Sequence, residues 1–332
     1  MTSREIVRRV LERDCPPRMG LSFSDYQGQP RIKDTAGAGY APDPAFADVT
    51  WQDDGQGGET LTDEWGLLWR RITGRSSRGE VIGAPLETWA DLDSYRLPTL
   101  DDPARYEPAA RAREEHPDQY LLGGIVGCSF NQARYLRRMD QYLLDCAAEP
   151  EQVRRLNRMV NDIAVAQVDI YADLGADGVF FCEDWGIEDR LLVSPRMWES
   201  LFRPDFERLI GRAHERGLTV WMHCCGYIRD IIPSLADLGM DVLQLDQPEL
   251  SGLAFLADYG DRLSYWCPVD IQKVLPRGNQ AEIESRAREM FRVLGAGGGF
   301  LGMDYGDDRS IGTQPLWQHW VYEVWRREGV YR

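Results

Sequence analysis

One short stretch joins the residue types that bind soft metal ions. In "LTVWMHCCGYIRD" (218–230) one of four histidines stands against two of seven cysteines. Read as a strand, it alternates its side chains, so His223 and Cys225 share a face and Cys224 points the other way. An imidazole nitrogen and a thiolate two residues apart can reach the same ion. Zinc accepts such a mixed set at roughly 2.0–2.3 Å, and a catalytic zinc needs three protein ligands with the fourth position open. Cys224 then packs as a small apolar side chain. The alternative is a packed histidine beside buried thiols, with no ion.

Further ionisable residues, with a few neutral neighbours, close other apolar runs. They are Ser24, Asp25 and Tyr26; Cys182, Glu183 and Asp184; Gln244 and Asp246; Cys267 and Asp270; and Met303, Asp304 and Tyr305. Glu183 and Asp184 are candidate acids, proton relays or ligands, and Asp246 is a second candidate carboxylate, since burial tunes such groups. The alternative for each is a carboxylate bonded to loop amides. Tyr26, Trp65, Trp185, Tyr227 and Tyr305 are candidates to wall a small-molecule pocket, as aromatic side chains often do. Each can equally be ordinary packing.

Those positions need elements that bring them together. From about residue 119 the chain alternates short apolar runs with helical periods: "YLLGGIVG" (120–127), "DGVFFCEDWG" (177–186), "LTVWMHCC", "DVLQLD", "LSYWCPVD" and "GFLGMDYGDD", each followed by a helix-patterned segment. Short runs apolar on both faces, alternating with helices, predict a parallel sheet covered by helices. The expected fold is an α/β (β/α)8 TIM-type barrel with an N-terminal extension, one domain over 1–332; a doubly wound open sheet is second. The first 118 residues are irregular and are expected to supply the first strands and the mouth loops. "RMGLSFSDY" (18–26) and "ADVTWQDD" (47–54) are the expected first two strands, and "GETLTDEWGLLWRR" reads as paired strands or a short helix at the mouth. In such barrels the chemistry sits at the C-terminal strand ends, where the ionisable residues fall.

Composition narrows the function. At 332 residues with 43% hydrophobic content the chain can bury a sizeable core, and its formal net charge of −16 makes nucleic acid and anionic membranes poor partners. Seven cysteines without framework spacing argue against a disulfide scaffold, and no apolar run has signal-peptide or membrane-span length. A cytoplasmic location is expected, with thiols reduced.

Several stretches carry a family resemblance. "MHCCGYIRDIIPSLADLGMDVLQLD", with "GVFFCEDWG" and "LLVSPRMWESLFRPDFERLI" before it and "PVDIQKVL" after it, resembles the uroporphyrinogen decarboxylase superfamily. "DEWGLLWRR" (63–71) and the ending "GGGFLGMDYGD" extend the likeness over most of the chain. Within the superfamily it is more similar to the cobalamin-linked methyltransferases, including coenzyme M methyltransferases and O-demethylases. The resemblance implies a (β/α)8 barrel. It also implies a methyltransferase moving a methyl group from a small, methoxylated donor to a corrinoid cofactor on a partner protein, with zinc as Lewis acid. The alternative within the superfamily is a metal-free, decarboxylase-like lyase acting through strand-tip carboxylates. Porphyrinogen decarboxylases carry an Arg-rich N-terminal motif that grips substrate carboxylates; "CPPRMGLSFSDYQGQPR" has only Arg18 and Arg31 there. The methyltransferase H-x-C-G motif maps onto His223, Cys225 and Gly226. The third ligand of that branch is a cysteine near the last strand, where this chain reads Gly302-Met303-Asp304-Tyr305. Asp304 is the nearest replacement, with Glu183 and Cys267 as others. Corrinoid, thiol and folate all stay open as methyl acceptors.

Overall fold

The computed structural model describes residues 1–14, 16–74 and 79–331. Two short strands open the barrel, β1 (Gly20–Ser22) and β2 (Thr35–Ala38). Between β2 and the next barrel strand lies an antiparallel sheet of β3 (Gln52–Asp53), β4 (Gly58–Thr62), β5 (Leu68–Ile72) and β6 (Glu80–Gly83). The remaining barrel strands are β7 (Tyr120–Gly124), β8 (Gly178–Cys182), β9 (Thr219–Cys224), β10 (Val242–Leu245), β11 (Ser264–Cys267) and β12 (Phe300–Met303). They pair in parallel in the order β1-β12-β11-β10-β9-β8-β7-β2, flanked by helices, and form an α/β barrel of the (β/α)8 type.

The second barrel strand differs from expectation. Thr35–Ala38, "TAGA", fills that place, whereas Gln52–Asp53 inside the expected 47–54 strand belongs to the antiparallel sheet. Small residues give little strand signal, and here pairing with β7 decides the matter rather than local propensity. The "GETLTDEWGLLWRR" stretch forms the β4–β5 pair, and Trp69 of β5 meets Tyr135 edge-on at 5.2 Å. That contact ties the extra sheet to the helix Phe130–Arg137 that follows β7.

Side chains help to close the β1–β2 seam. The buried Asp34 carboxylate accepts the Leu21 N–H at 2.8 Å and both arms of Arg18 at 2.5 and 2.8 Å, while Ser22 Oγ and Thr35 Oγ1 lie 2.7 Å apart. At the opposite end from the strand tips, the N-terminal helix Ser3–Glu12 presents Ile6, Val7 and Val10 to the inward residues Leu122, Trp221, Val242 and Leu301. A Thr2–Glu5 capping box starts that helix. Asp177, just before β8, fastens it by accepting from Arg4 at 2.6 Å and Arg8 at 3.5 Å, and also holds Arg113 at 3.1 Å. The plugged end leaves the C-terminal mouth as the open face. Among the described residues no helix is long and apolar enough to cross a membrane.

Candidate metal centre at the barrel mouth

Strand alternation builds the centre. Register pairs Cys182 with His223 and His223 with Gln244, so β8, β9 and β10 project inward side chains at matched heights. One step further toward the mouth come Asp184, Cys225 and Asp246. His223 Nε2 lies 3.4 Å from Cys225 Sγ and 3.4 Å from Asp184 Oδ1. One ligand atom from each of Asp184, His223 and Cys225 falls within 4.8 Å of the other two, the one such group of histidine, cysteine or acidic side chains among the described residues. Tetrahedral ligands at zinc bond lengths stand ~3.3–3.8 Å apart, so this nitrogen, sulfur and oxygen set fits a zinc-type ion.

The same packing orders the charges. Burial pushes the Asp184 carboxyl up, but the bond to His223 and the field of its imidazolium outweigh it and hold the group at about 2. Burial pulls His223 down; its bonds to Asp184 and Cys225 more than reverse this and raise it well above the usual imidazole value. The Cys225 thiol is raised by burial despite the opposing pull of His223. Asp184 is therefore held ionised beside His223 rather than as a proton donor.

Each of the three candidate ligands has a support. Asp184 Oδ1 faces the centre and accepts the Cys225 N–H at 3.1 Å, while Oδ2 meets Asn131 Nδ2 at 3.4 Å and Arg134 at 3.6 Å. On the other side, His223 Nδ1 bonds Gln244 Oε1, and Gln244 Nε2 donates to Asp246 Oδ1 at 2.8 Å. The loops after β8 and β9 touch through Gly186 and Gly226, where a Cβ on either would sit 2.4 Å from backbone of the other loop. Gly226 has φ of 80°, open to glycine at no cost. That contact lets Asp184 and Cys225 approach.

Glu183 is turned the other way. It is fully buried behind β8 and accepts the N–H groups of Cys128, Ser129 and Asn131 at 2.7, 2.8 and 2.8 Å. It anchors the start of the Phe130–Arg137 helix and does not face the mouth. Asp304 also stands apart from the three-ligand group: its carboxylate accepts the Ser24 N–H at 3.0 Å, near Arg31, and burial raises its pKa. Asp246 lies beside the centre, with Oδ2 3.8 Å from Cys225 Sγ. Cys267 is buried in the core, and so is Cys224.

The aromatic candidates divide. Tyr305 is partly exposed, and burial raises its hydroxyl, with Asp246 and Cys225 adding to the shift because they lie near it. Tyr227 sits on the loop after β9 and donates to Asp230 at 3.1 Å. Tyr26 stacks on His319 at 4.5 Å beneath the Arg31 guanidinium. Trp185 and Trp65 lie away from the centre, Trp65 beside a separate cavity of about 290 Å³ that Pro42, Phe46 and Leu61 also line. Trp185 is wholly buried against Phe130 (4.1 Å) and Phe202 (4.7 Å), and Trp65 packs into the core with its carbonyl accepting from Tyr95. Alternation explains Trp185, which follows inward Asp184 and so points to the helices. Asn131, Arg134 and Gln244 are the site residues that sequence reading left without a role. Gln244 was within reach, since aligning β10 on β9 pairs it with His223.

A family model described as Uroporphyrinogen decarboxylase (URO-D) matches residues 72–301. The chain belongs to the uroporphyrinogen decarboxylase family. A relative, the uroporphyrinogen decarboxylase of Anaeromyxobacter dehalogenans (strain 2CP-C), is 24% identical over a 258-residue alignment that covers 72% of this chain and 68% of that protein. Among solved structures, a methyltransferase from Methanosarcina mazei is similar with a TM-score of 0.61 and 17% identity, over 80% of this chain and 76% of that one. At that identity the likeness is one of fold. Family membership and the geometry of the mouth together support an enzyme.

Proposed function

We propose that this chain transfers a methyl group from a small, methoxylated donor to a corrinoid carried by a partner protein, at a zinc centre held by Asp184, His223 and Cys225. The observation that carries the reading is the convergence of those three ligand atoms at the open end of the barrel. The fold shared with the Methanosarcina mazei methyltransferase supports the branch. When bound, zinc supplies Lewis acidity toward the ether oxygen, whose poor leaving ability is the main barrier to losing its methyl group. The chain's own residues do the rest. Asp184 stays ionised and ligates, Asp246 stands beside the centre as its second carboxylate, and Tyr305 and Tyr227 flank the mouth. Glu183 has no part in proton transfer, being turned into the helix start.

The lyase alternative draws on the family name and on the strand-tip carboxylates. Against a substrate with many carboxylates, Arg18 is locked onto buried Asp34, leaving only Arg31 of the expected pair. Elemental analysis of the purified protein beside His223→Ala and Cys225→Ala decides between them. About one zinc per chain, lost in both variants, together with methyl transfer from methoxylated donors to a reduced corrinoid, is the expected result. Protein that takes up no zinc when it is offered, yet releases CO2 from a carboxylated substrate, would replace this reading with the lyase.

A further inference from the structure

We infer that Gln244, oriented by Asp246, is a positioning residue that sets Nε2 of His223 as the nitrogen facing the ion; this rests on the metal-centre reading above. A primary amide has one accepting end and one donating end. The Asp246 carboxylate is an acceptor, and Gln244 Nε2 lies 2.8 Å from its Oδ1, so the donating end is committed there. The amide oxygen must then face His223 Nδ1 across the β9–β10 register pair, and an oxygen acceptor requires a proton on Nδ1. In the neutral ring, Nε2 is then left to present its lone pair to the space shared with Cys225 Sγ and Asp184 Oδ1, each 3.4 Å away.

The relay is needed because the other side of the ring pulls in the opposite sense. Asp184 alone would draw a proton onto Nε2 and leave Nδ1 bare, blocking ligation from the side where the other ligands stand. Gln244 is 4% exposed and Asp246 5%, so water does not compete for the bonds that fix the amide. Asp246 also reaches the second ligand, with Oδ2 3.8 Å from Cys225 Sγ. One carboxylate thus touches the support of one ligand and the sulfur of another. Such outer partners of metal-bound histidines orient the ring and carry much of the affinity.

Two measurements test this. The first needs no metal: histidine-15N NMR of the wild-type protein, at a pH where the His223 ring is neutral, should show the proton on Nδ1. A bare Nδ1 there would overturn the relay whether or not zinc binds. The second is zinc affinity by competition with a chromophoric chelator. Gln244→Leu should bind zinc about 10–100-fold more weakly, with an unchanged melting temperature separating this from a structural defect. Gln244→Glu should also weaken binding, by setting two carboxylates against each other. Adding Asp246→Asn to Gln244→Glu restores a donor facing an acceptor and should recover most of the affinity. If Gln244→Leu does not fold, that rescue pair carries the test. Wild-type affinity in Gln244→Leu, or no rescue in the pair, would sink the inference. Absence of zinc from the wild type would instead sink the metal centre, leaving the NMR result to judge the relay.

Discussion

At the scale of single residues, the decisive question is which carboxylate faces His223 and Cys225. Asp184 and Asp304 both stand at strand tips, but only Asp184 divides its oxygens between a support and the centre, with Oδ2 toward Asn131 and Arg134 and Oδ1 toward His223. Asp304 spends Oδ2 on the Ser24 amide. Asp184→Asn should therefore lower zinc affinity at least about tenfold, as expected for a lost anionic ligand, while Asp304→Asn should leave it within the error of a chelator competition. The reverse order would move the third ligand to β12. Alternation read from the sequence already placed His223 with Cys225 and set Cys224 aside. Applied one strand earlier, the same rule separates Glu183 from Asp184, which composition alone presents as a pair of equals.

At the scale of elements, β8 divides its tip between two tasks. Asp184 points into the barrel, and Glu183 points out to hold the start of the Phe130–Arg137 helix, the helix that returns Asn131 and Arg134 to Asp184. Glu183→Ala would leave three buried N–H groups without an acceptor at a helix N-terminus and should cost about 3 kcal/mol in urea unfolding. Burial pushes the Glu183 carboxyl up to about 7 against the pull of those amides. In the unfolded chain it titrates near ~4.3. Between those values the native protein holds the proton more tightly, so this group's contribution to stability is greatest at the acid end and falls as pH rises toward 7. The stability difference between wild type and Glu183→Gln should shrink over that window and then level off. A difference that grows with pH would show that the amides, not burial, set the titration.

At the scale of the whole molecule, the two ends of the barrel have separate work. Six strand–helix units were legible because each runs apolar to a polar tip, whereas "TAGA" was hidden: it has no large side chain, and only its place beside β7 makes it a strand. The plug was half legible. The amphipathic start is plain in the sequence, but nothing local says that Ile6, Val7 and Val10 meet Trp221 and Leu301. Asp177 secures that plug. Its side chain is 1% exposed and serves Arg4, Arg8 and Arg113, together with the Leu121 N–H at 3.0 Å. Asp184 lies seven residues further along the same strand line, roughly 20 Å away at strand rise. Removing Asp177 takes the acceptor from the buried Leu121 N–H and the counter-charge from three partly exposed guanidinium groups at the closed end, without touching the mouth. Asp177→Ala should therefore cost about 1–3 kcal/mol of stability, as leaving a buried N–H without its acceptor does, while the folded fraction keeps the zinc stoichiometry and affinity proposed for the mouth. Denaturant unfolding alongside chelator competition checks both halves. Loss of zinc in proportion to the lost stability would mean that the two ends of the barrel are coupled, and that the plug helps to shape the centre above it.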